Sequence, residues 1–170
     1  MDGQGYKVLF GERPTGFFMV GGAADGYTSL NAFDAALIDA GIGDVNLVKV
    51  TSILPPGCAE IASTTLPGGT IAPVAYAYII SDIPGEVISA AVGAALPLDP
   101  SKPGLIMEYS ARGHKKDAEE IVRTMAVKGM RIRERDIREI KSLAVEHKVQ
   151  TIGAALAAVV LWPLRGSGGC

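Results

Sequence analysis

Apolar and polar residues follow two different patterns along this chain, one typical of helices and one typical of strands. Two segments carry apolar residues at helical spacing: residues 30–40, which Gly41 ends, and residues 115–128, which Gly129 ends. A helix with such spacing buries one face and exposes the other. The predicted apolar faces are Leu30, Phe33, Leu37 and Ala40 on the first helix, and Ala118, Ile121, Val122 and Met125 on the second.

Runs of β-branched, aromatic or small apolar residues indicate strands, and turns rich in Gly and Pro separate them. Two of these runs, residues 88–96 and 152–160, contain few large side chains. Periodicity alone does not decide whether such a run is an interior strand or a helix in a crowded core. The predicted strands are residues 16–21, 45–51, 71–81, 86–96, 104–110, 142–149 and 151–162, and the predicted loops include residues 21–26 and 54–69.

The composition of the 170-residue chain excludes several classes of protein. Apolar residues make up 48% and charged residues 20%, which suits one domain with a sizeable core and argues against disorder. The net charge of −2 provides no basic field for a nucleic acid. No apolar run reaches the roughly 18 residues of a membrane span, and the first residues do not resemble a signal peptide. With two cysteines, which fit a reducing compartment, we expect a cytoplasmic protein.

The motifs of the common catalytic classes are missing from the sequence. We find no Cys/His spacing for a metal, no phosphate-binding loop, no dinucleotide fingerprint and no G-x-S-x-G elbow. The two histidines, His114 and His147, lie far apart along the chain, and a structural or surface role is expected for both. Any chemistry must therefore come from polar residues in less familiar arrangements.

Polar residues interrupt two of the predicted strands. Thr51 and Ser52 place two hydroxyls side by side just before a Pro-Pro pair, Asn46 is a lone amide in the same strand, and Glu108 is a lone carboxylate among apolar residues. Each has an ordinary explanation, because hydroxyls are common at strand ends, an amide can satisfy backbone groups, and a carboxylate can face solvent. Strand alternation puts Glu108 on the same face as Ile106, however, which weakens the solvent alternative.

Asp34 lies beside the apolar face of the first predicted helix. It follows Leu30 by four residues and precedes Leu37 by three, so its carboxylate is at the edge of that face. Helix geometry alone favours a partly exposed boundary residue over a carboxylate that binds a cationic ligand, and both interpretations stay open at this point.

Several blocks of the sequence, in order, resemble the pyruvoyl-dependent arginine decarboxylases. The resemblance extends from about residue 18 to residue 162 and implies an α/β fold, in which packed, largely antiparallel or mixed β-sheets form an αββα sandwich with flanking helices. It also implies a single domain that covers residues 1–170. The blocks are LNAFD at 30–34, AGIGDVNL at 40–47, SILPP at 52–56, YIISDIPGE at 78–86, GLIMEY at 104–109 and AVEH at 144–147.

The resemblance implies a proenzyme that cuts itself between Thr51 and Ser52. The Ser52 hydroxyl would attack the Thr51 carbonyl, and the products would be a β chain of residues 1–51 and an α chain of residues 52–170 that begins with a pyruvoyl group. This covalent group replaces pyridoxal phosphate, so neither that cofactor nor a metal is expected. Its ketone would form a Schiff base with arginine, and agmatine and CO₂ would be the products. The family usually has a serine where Thr51 stands, which leaves the rate of cleavage open.

The resemblance also assigns roles to the other polar residues. Glu108 would be the general acid that protonates the substrate α-carbon, Asn46 would donate to the oxyanion during cleavage, and Asp34 would bind the guanidinium. The active sites would lie between subunits of a homotrimer or a dimer of trimers. The same chemistry on another amino acid, such as lysine, and an unprocessed relative that only binds a metabolite or acts as a scaffold, are the alternatives. Other positions matched to the substrate pocket are Leu30, Leu37, Gly43, Val45 and Ile53.

Overall fold

Two β-sheets pack face to face in this protein, and one helix covers the outer side of each sheet. A computed structural model describes residues 13–163. The arrangement confirms the predicted αββα sandwich of mixed sheets. From the sequence we also expect residues 1–15 to form a loose lead-in and residues 163–170 a flexible tail, and both segments lie mostly outside the described residues.

Nine strands and two helices succeed one another in residues 13–163. In this part of the chain, neither helix combines the length and the apolar composition needed to cross a membrane. The elements are β1 (Gly16–Asp25), α1 (Ser29–Asp39), β2 (Asn46–Lys49), β3 (Ile53–Leu54), β4 (Ala59–Glu60), β5 (Ile71–Ser81), β6 (Val87–Pro97), β7 (Gly104–Arg112), α2 (Lys115–Ile132), β8 (Ile137–Lys148) and β9 (Gly153–Trp162).

The strand order places β2 and β3 in different sheets. One sheet has the order β2-β5-β9-β1-β4 and the other has the order β3-β7-β6-β8. The pairs β1–β4 and β2–β5 are parallel, and the other pairs are antiparallel. Because β2 and β3 follow each other along the chain, the chain crosses from one sheet to the other between Lys49 and Ile53. The predicted strand of residues 45–51 is thus shorter than expected, and it is a half-buried edge strand.

Small side chains fill the space between the two sheets. The two Ala-rich runs, for which strand and helix were both open, are the strands β6 and β9, and nearly every residue in them is buried. Since an alanine projects little beyond the backbone, the two layers pack closely. This inner core includes Ala75, Ala77, Ala90, Val92, Ala94, Ala155, Ala157 and Val159.

Helix α1 packs against the five-stranded sheet through Ala32 and Ala36 and through three of the four residues of the predicted apolar face, Phe33, Leu37 and Ala40. The prediction that Leu30 belongs to the buried face is wrong, because this side chain is 74% exposed. The helix approaches β1 so closely at Gly22 that an added Cβ would lie 2.2 Å from the carbonyl oxygen of Ala36. Only small residues fit along such a contact. The buried residues of α1 are Ala32, Ala36 and Leu37.

The glycines of residues 21–26 do not form the predicted loop. Strand β1 continues to Asp25 and pairs with β9 along its whole length, from Gly16 opposite Trp162 to Asp25 opposite Gly153. The prediction is wrong because Gly21 and Gly22 serve the close approach of β8 and of α1, respectively, and not a turn.

Helix α2 does not end at Gly129 as predicted but continues to Ile132. Gly129 is buried against the four-stranded sheet, where an added Cβ would lie 2.4 Å from Leu105 Cδ2 and 2.6 Å from Met107 Cε. Its role is therefore packing and not helix termination. The predicted face is also partly wrong, because Ile121 is exposed. The buried residues of α2 are Ala118, Val122, Ala126, Gly129 and Met130.

Candidate active site

The bond between Thr51 and Ser52 lies where the chain leaves one sheet and enters the other. On its N-terminal side, the N–H of Val50 donates to the carbonyl of Val74 on β5 at 3.0 Å. On its C-terminal side, the carbonyl of Ser52 accepts a hydrogen bond of 2.7 Å from the N–H of Ile106 on β7. The segments on the two sides of the bond are therefore anchored separately, each in its own sheet.

A three-residue turn is centred on Ser52. The N–H of Ile53 donates to the carbonyl of Thr51 at 3.1 Å, which is the hydrogen-bond pattern of a γ-turn. Thr51 is exposed and Ser52 is half-buried. This carbonyl is the group that the Ser52 hydroxyl would attack, and a donor on its oxygen stabilises the negative charge that such an attack creates.

Glu108 lies on β7, two residues beyond Ile106 and on the same face. The rise along a strand puts the two residues about 7 Å apart, so the carboxyl is close to the segment that carries Ser52. Its Oε1 lies 3.2 Å from Nζ of Lys49, and the side chain is 28% exposed. Its Oε2 is buried and has no hydrogen-bond partner among residues 13–163. An unpartnered carboxyl oxygen in this position is available for proton transfer to a bound molecule.

Asn46 is the first residue of β2, and it is exposed rather than enclosed in an apolar strand as expected. Its Nδ2 donates to the carbonyl of Gly69 at 3.1 Å. Five residues of extended chain separate it from Thr51, which corresponds to about 16 Å. Within one chain, Asn46 therefore does not reach the Thr51 carbonyl.

Asp34 is exposed near the middle of α1. The residues one turn before and after it, Leu30 and Ile38, are 74% and 64% exposed. The expectation that Leu37 lies beside the carboxylate is wrong, because Leu37 is buried beneath the helix. The exposed apolar side chains on the two sides of Asp34 are Leu30 and Ile38. A carboxylate between two exposed apolar side chains is suited to a cation with an apolar stem.

Two further predicted pocket residues lie close to α1, in the segment that follows it. An added Cβ on Gly43 would lie 2.6 Å from Cγ1 of Ile38, and Val45 packs in the same core as Leu37. The structure thus gathers Asp34, Leu30, Leu37, Gly43 and Val45 around α1. Ser52, Ile53 and Glu108 form a second group at the crossing between the sheets.

Lys49 is a site residue that the sequence analysis missed. Its Nζ donates to the carbonyl of Tyr76 at 2.7 Å, lies 3.2 Å from Oε1 of Glu108, and sits 4.5 Å from the centre of the Tyr76 ring. The ring contacts continue to α1, because Phe33 lies 6.4 Å from Tyr76 between centroids. A lysine between the apolar residues Val48 and Val50, three residues before Ser52, is the signal in the sequence that could have identified it.

The thiol of Cys58 lies on the loop that follows the crossing and is a poor nucleophile. Burial raises the pKa of this thiol to about 11, although the N–H of Ala59 and the charge of Arg13 act in the opposite direction. The thiolate is the nucleophilic form of cysteine, and it is scarce at neutral pH for such a group.

Comparison with known proteins identifies the family of this chain. Residues 16–165 match the family model of pyruvoyl-dependent arginine decarboxylase. Three of the curated relatives with that name illustrate the similarity. A protein of Methanocaldococcus jannaschii is 50% identical over 88% of this chain and 90% of its own length. One of Methanococcus aeolicus is 50% identical over 89% and 92%, and one of Pyrococcus abyssi is 42% identical over 88% and 96%. The resemblance inferred from the sequence blocks is thereby confirmed, and the chain belongs to the pyruvoyl-dependent arginine decarboxylase family.

Proposed function

We propose that the chain cleaves itself between Thr51 and Ser52 and that the cleaved protein converts arginine to agmatine and CO₂. The family and the names of the relatives support the enzyme class and the substrate. The main support for this cleavage site is that the two flanking segments are anchored separately, one in each sheet. Cutting this bond breaks no ladder hydrogen bond, and each new chain end stays in its own sheet.

The cleavage needs only the residues of the chain and one water. The Oγ of Ser52 adds to the Thr51 carbonyl carbon, the bond from that carbon to the Ser52 nitrogen breaks, and the nitrogen takes up the hydroxyl proton. The resulting ester loses the Ser52 α-proton and the Thr51 carboxylate, which leaves dehydroalanine. Tautomerisation to the imine and addition of water then release ammonia and leave a pyruvoyl group at the start of the α chain. The N–H of Ile53 already donates a hydrogen bond to the Thr51 carbonyl oxygen, where the negative charge develops.

We expect cleavage to survive the presence of Thr51 in place of the usual serine. The Thr51 side chain is exposed, and its hydroxyl takes no part in the attack. A β-branched side chain is stiffer at χ1 but does not alter the reacting atoms. The rate of cleavage is the property that this substitution affects.

The residues around Ser52 fit a pyruvoyl group at this position. The Ser52 carbonyl is held by the N–H of Ile106, and the next two residues pair with β7, so the new chain start is fixed from its first residue. When present, the group supplies a ketone that binds the substrate amine and a carbonyl that takes up the electrons released with CO₂. Glu108 lies close to this point, and its unpartnered Oε2 is the group placed for proton transfer to the substrate α-carbon.

We also propose that the complete site forms between two copies of the chain. One copy supplies Ser52, Ile53 and Glu108, and the other supplies Asn46 and the group around Asp34. The separation of about 16 Å between Asn46 and Thr51 within a chain supports this arrangement. So do the exposed apolar side chains on and beside α1, which favour burial by a partner. The expected homotrimer or dimer of trimers, and the expected cytoplasmic location, stay predictions.

Intact-mass measurement and substrate comparison test the proposal together. The protein should yield two chains, residues 1–51 and 52–170, with the larger one lacking the amine of Ser52, and the variant Ser52→Ala should stay intact. Release of CO₂ should be greatest with arginine in a panel that includes lysine, ornithine, histidine and aspartate, and Asp34→Asn should weaken that preference. A single intact chain after long incubation would support the scaffold alternative, and faster release from lysine would support a lysine decarboxylase.

A further inference from the structure

The ladder between β2 and β5 stops one step before the proposed cleavage site. Its last bond runs from the N–H of Val50 to the carbonyl of Val74, and strand pairing ends at Lys49 opposite Val74. In a parallel ladder, every second residue of a strand donates to the same neighbour. The next donor would be the N–H of Ser52 and its acceptor the carbonyl of Tyr76. A longer β2 would therefore draw the Thr51–Ser52 peptide into the sheet.

Lys49 donates a hydrogen bond to the Tyr76 carbonyl, which is the acceptor that would continue the ladder. Its ammonium donates to the Tyr76 carbonyl at 2.7 Å and lies over the Tyr76 ring at 4.5 Å from the centroid. A hydrogen bond from a charged donor is stronger than the peptide hydrogen bond that it replaces. The carbonyl is thereby satisfied without Ser52, and the chain is free to turn toward β3.

The same ammonium also contacts the proposed general acid. Oε1 of Glu108 lies 3.2 Å from Nζ of Lys49, and Oε2 has no hydrogen-bond partner among the described residues. An ammonium has three donors, and the Tyr76 carbonyl and Oε1 use two of them. Lys49 thus fixes one carboxyl oxygen of Glu108 and leaves the other oxygen available. In the cleaved protein, Lys49 would belong to the β chain and Glu108 to the α chain.

We propose that Lys49 is a positioning residue for both reactions at this crossing. Its hydrogen bond to the Tyr76 carbonyl keeps the scissile peptide out of the sheet. Its contact with Oε1 orients the carboxyl group of Glu108. It contacts the general acid but not the scissile bond, so it acts through its neighbours. This inference rests on the proposed cleavage and decarboxylation.

Substitution at position 49 tests the inference through cleavage and turnover separately. Lys49→Met keeps the apolar stem and removes the charge. We expect the half-time of cleavage, followed by intact mass, to lengthen several-fold, and kcat for arginine to fall about tenfold with KM within about twofold. Lys49→Arg keeps a cation at the same place and should restore most of both rates. The matched control is Lys141→Met, which removes a surface lysine paired with Glu60 and Glu139 and should leave both rates unchanged.

The uncleaved variant Ser52→Ala gives a readout that needs neither the pyruvoyl group nor turnover. In this background, Lys49→Met should lower the melting temperature, and it should lower it less when Glu108→Gln is also present, because the two residues then no longer interact. Additive effects, or a Lys49→Met protein that cleaves and turns over as the unaltered protein does, would overturn the inference. If the unaltered protein itself neither cleaves nor releases CO₂, the proposed function fails, while the coupling between Lys49 and Glu108 is still measured.

Discussion

The central strands β6 and β9 and the crossing from β2 to β3 are opposites in composition and in structure. β6 and β9 consist mainly of small apolar residues, pair with a neighbour on both sides, and are almost wholly buried. β2 and β3 are short edge strands, each with one pairing partner, and two of their six residues are Asn46 and Lys49. A peptide in the middle of β9 is held in place by both neighbouring strands, whereas the Thr51–Ser52 peptide lies outside both ladders.

In the proposed cleavage, this difference would let one chain combine stability with a reactive bond. A peptide nitrogen and carbonyl held in a ladder are protected from rearrangement, and a bond outside the ladders can reach the geometry that attack requires. The central strands would keep the two anchored segments in place before and after the proposed cut. Changes at the crossing should therefore affect chemistry, and changes near the central strands should affect stability.

The largest expected effect is on turnover, from the change Glu108→Gln at the crossing. A glutamine keeps the shape of the side chain but does not donate an acidic proton, so CO₂ release should fall by about 100-fold or more. Cleavage into two chains should continue, because Ser52 and the N–H of Ile53 supply the atoms for that step. Radiometric CO₂ release and intact mass measure the two properties on one sample.

The control for this change is Glu139→Gln on β8, where the carboxylate is exposed and pairs with Lys141. It should leave turnover unchanged. Equal losses in the two variants, or a Glu108→Gln protein with full activity, would show that Glu108 is not the proton donor. A large fall in melting temperature for Glu108→Gln would contradict the separation of chemistry from stability.

The next effect is on stability, from the change Gly22→Ala beside the central strands. The new Cβ would lie 2.2 Å from the carbonyl oxygen of Ala36 and 2.5 Å from the nitrogen of Ala40, and neither backbone atom yields without a shift of α1. We expect a loss of about 1–3 kcal/mol and a melting temperature several degrees lower. Gly93→Ala is the control, because its Cβ would meet Val122 Cγ1 at an ordinary 3.4 Å. If both changes cost the same, the close approach of α1 to β1 is not what requires glycine at position 22.

The elements that local pattern decides were predictable from the sequence. The bounds of β5 agree with the prediction residue for residue, and α1 begins and ends within one residue of it. Gly22 and Gly129 were misassigned as a loop residue and a helix end, because the reason for each glycine is an element that packs against it from elsewhere in the chain. Spacing along the sequence carries no signal for such a contact.

Ser52 and Glu108 were singled out from the sequence because a pair of hydroxyls and a lone carboxylate interrupt predicted apolar strands, and the family resemblance supplied their expected roles. Lys49 was missed because its importance depends on which strands lie next to β2 and on where that ladder ends. The N–H groups of Ile53 and Ile106 have no side-chain signature at all, and only the fold shows that they serve the carbonyls on the two sides of Ser52. The distance from Asn46 to Thr51 follows from the extended strand and supports the proposal that a second copy of the chain completes the site.

The smallest expected effect comes from Asp25, which joins the two sheets at the end of β1 away from the crossing. Its Oδ2 lies 2.5 Å from Nε2 of His147 on β8, and its Oδ1 accepts hydrogen bonds from the N–H groups of Gln150 and Thr151 at 3.0 and 2.8 Å. Burial raises the pKa of Asp25, but the bonds from Thr151, His147 and Gln150 together outweigh it and hold the pKa below the usual value of 3.8. After cleavage, Asp25 would belong to the β chain and its three partners to the α chain.

A depressed pKa in the folded state means that the charged form of Asp25 stabilises the fold at a pH above about 4, and that this stabilisation is lost as the pH falls through the folded value. Asp25→Asn should therefore cost about 1–2 kcal/mol in urea unfolding at pH 7 and clearly less at pH 3. Asp82→Asn, at an exposed position, is the control and should change the free energy of unfolding by less than about 0.5 kcal/mol.

Because the contact is independent of the Thr51–Ser52 bond, the loss at pH 7 should be the same in the uncleaved Ser52→Ala background, and cleavage should proceed normally in Asp25→Asn. An equal loss at both pH values would mean that the carboxylate charge does not contribute to holding the sheets together.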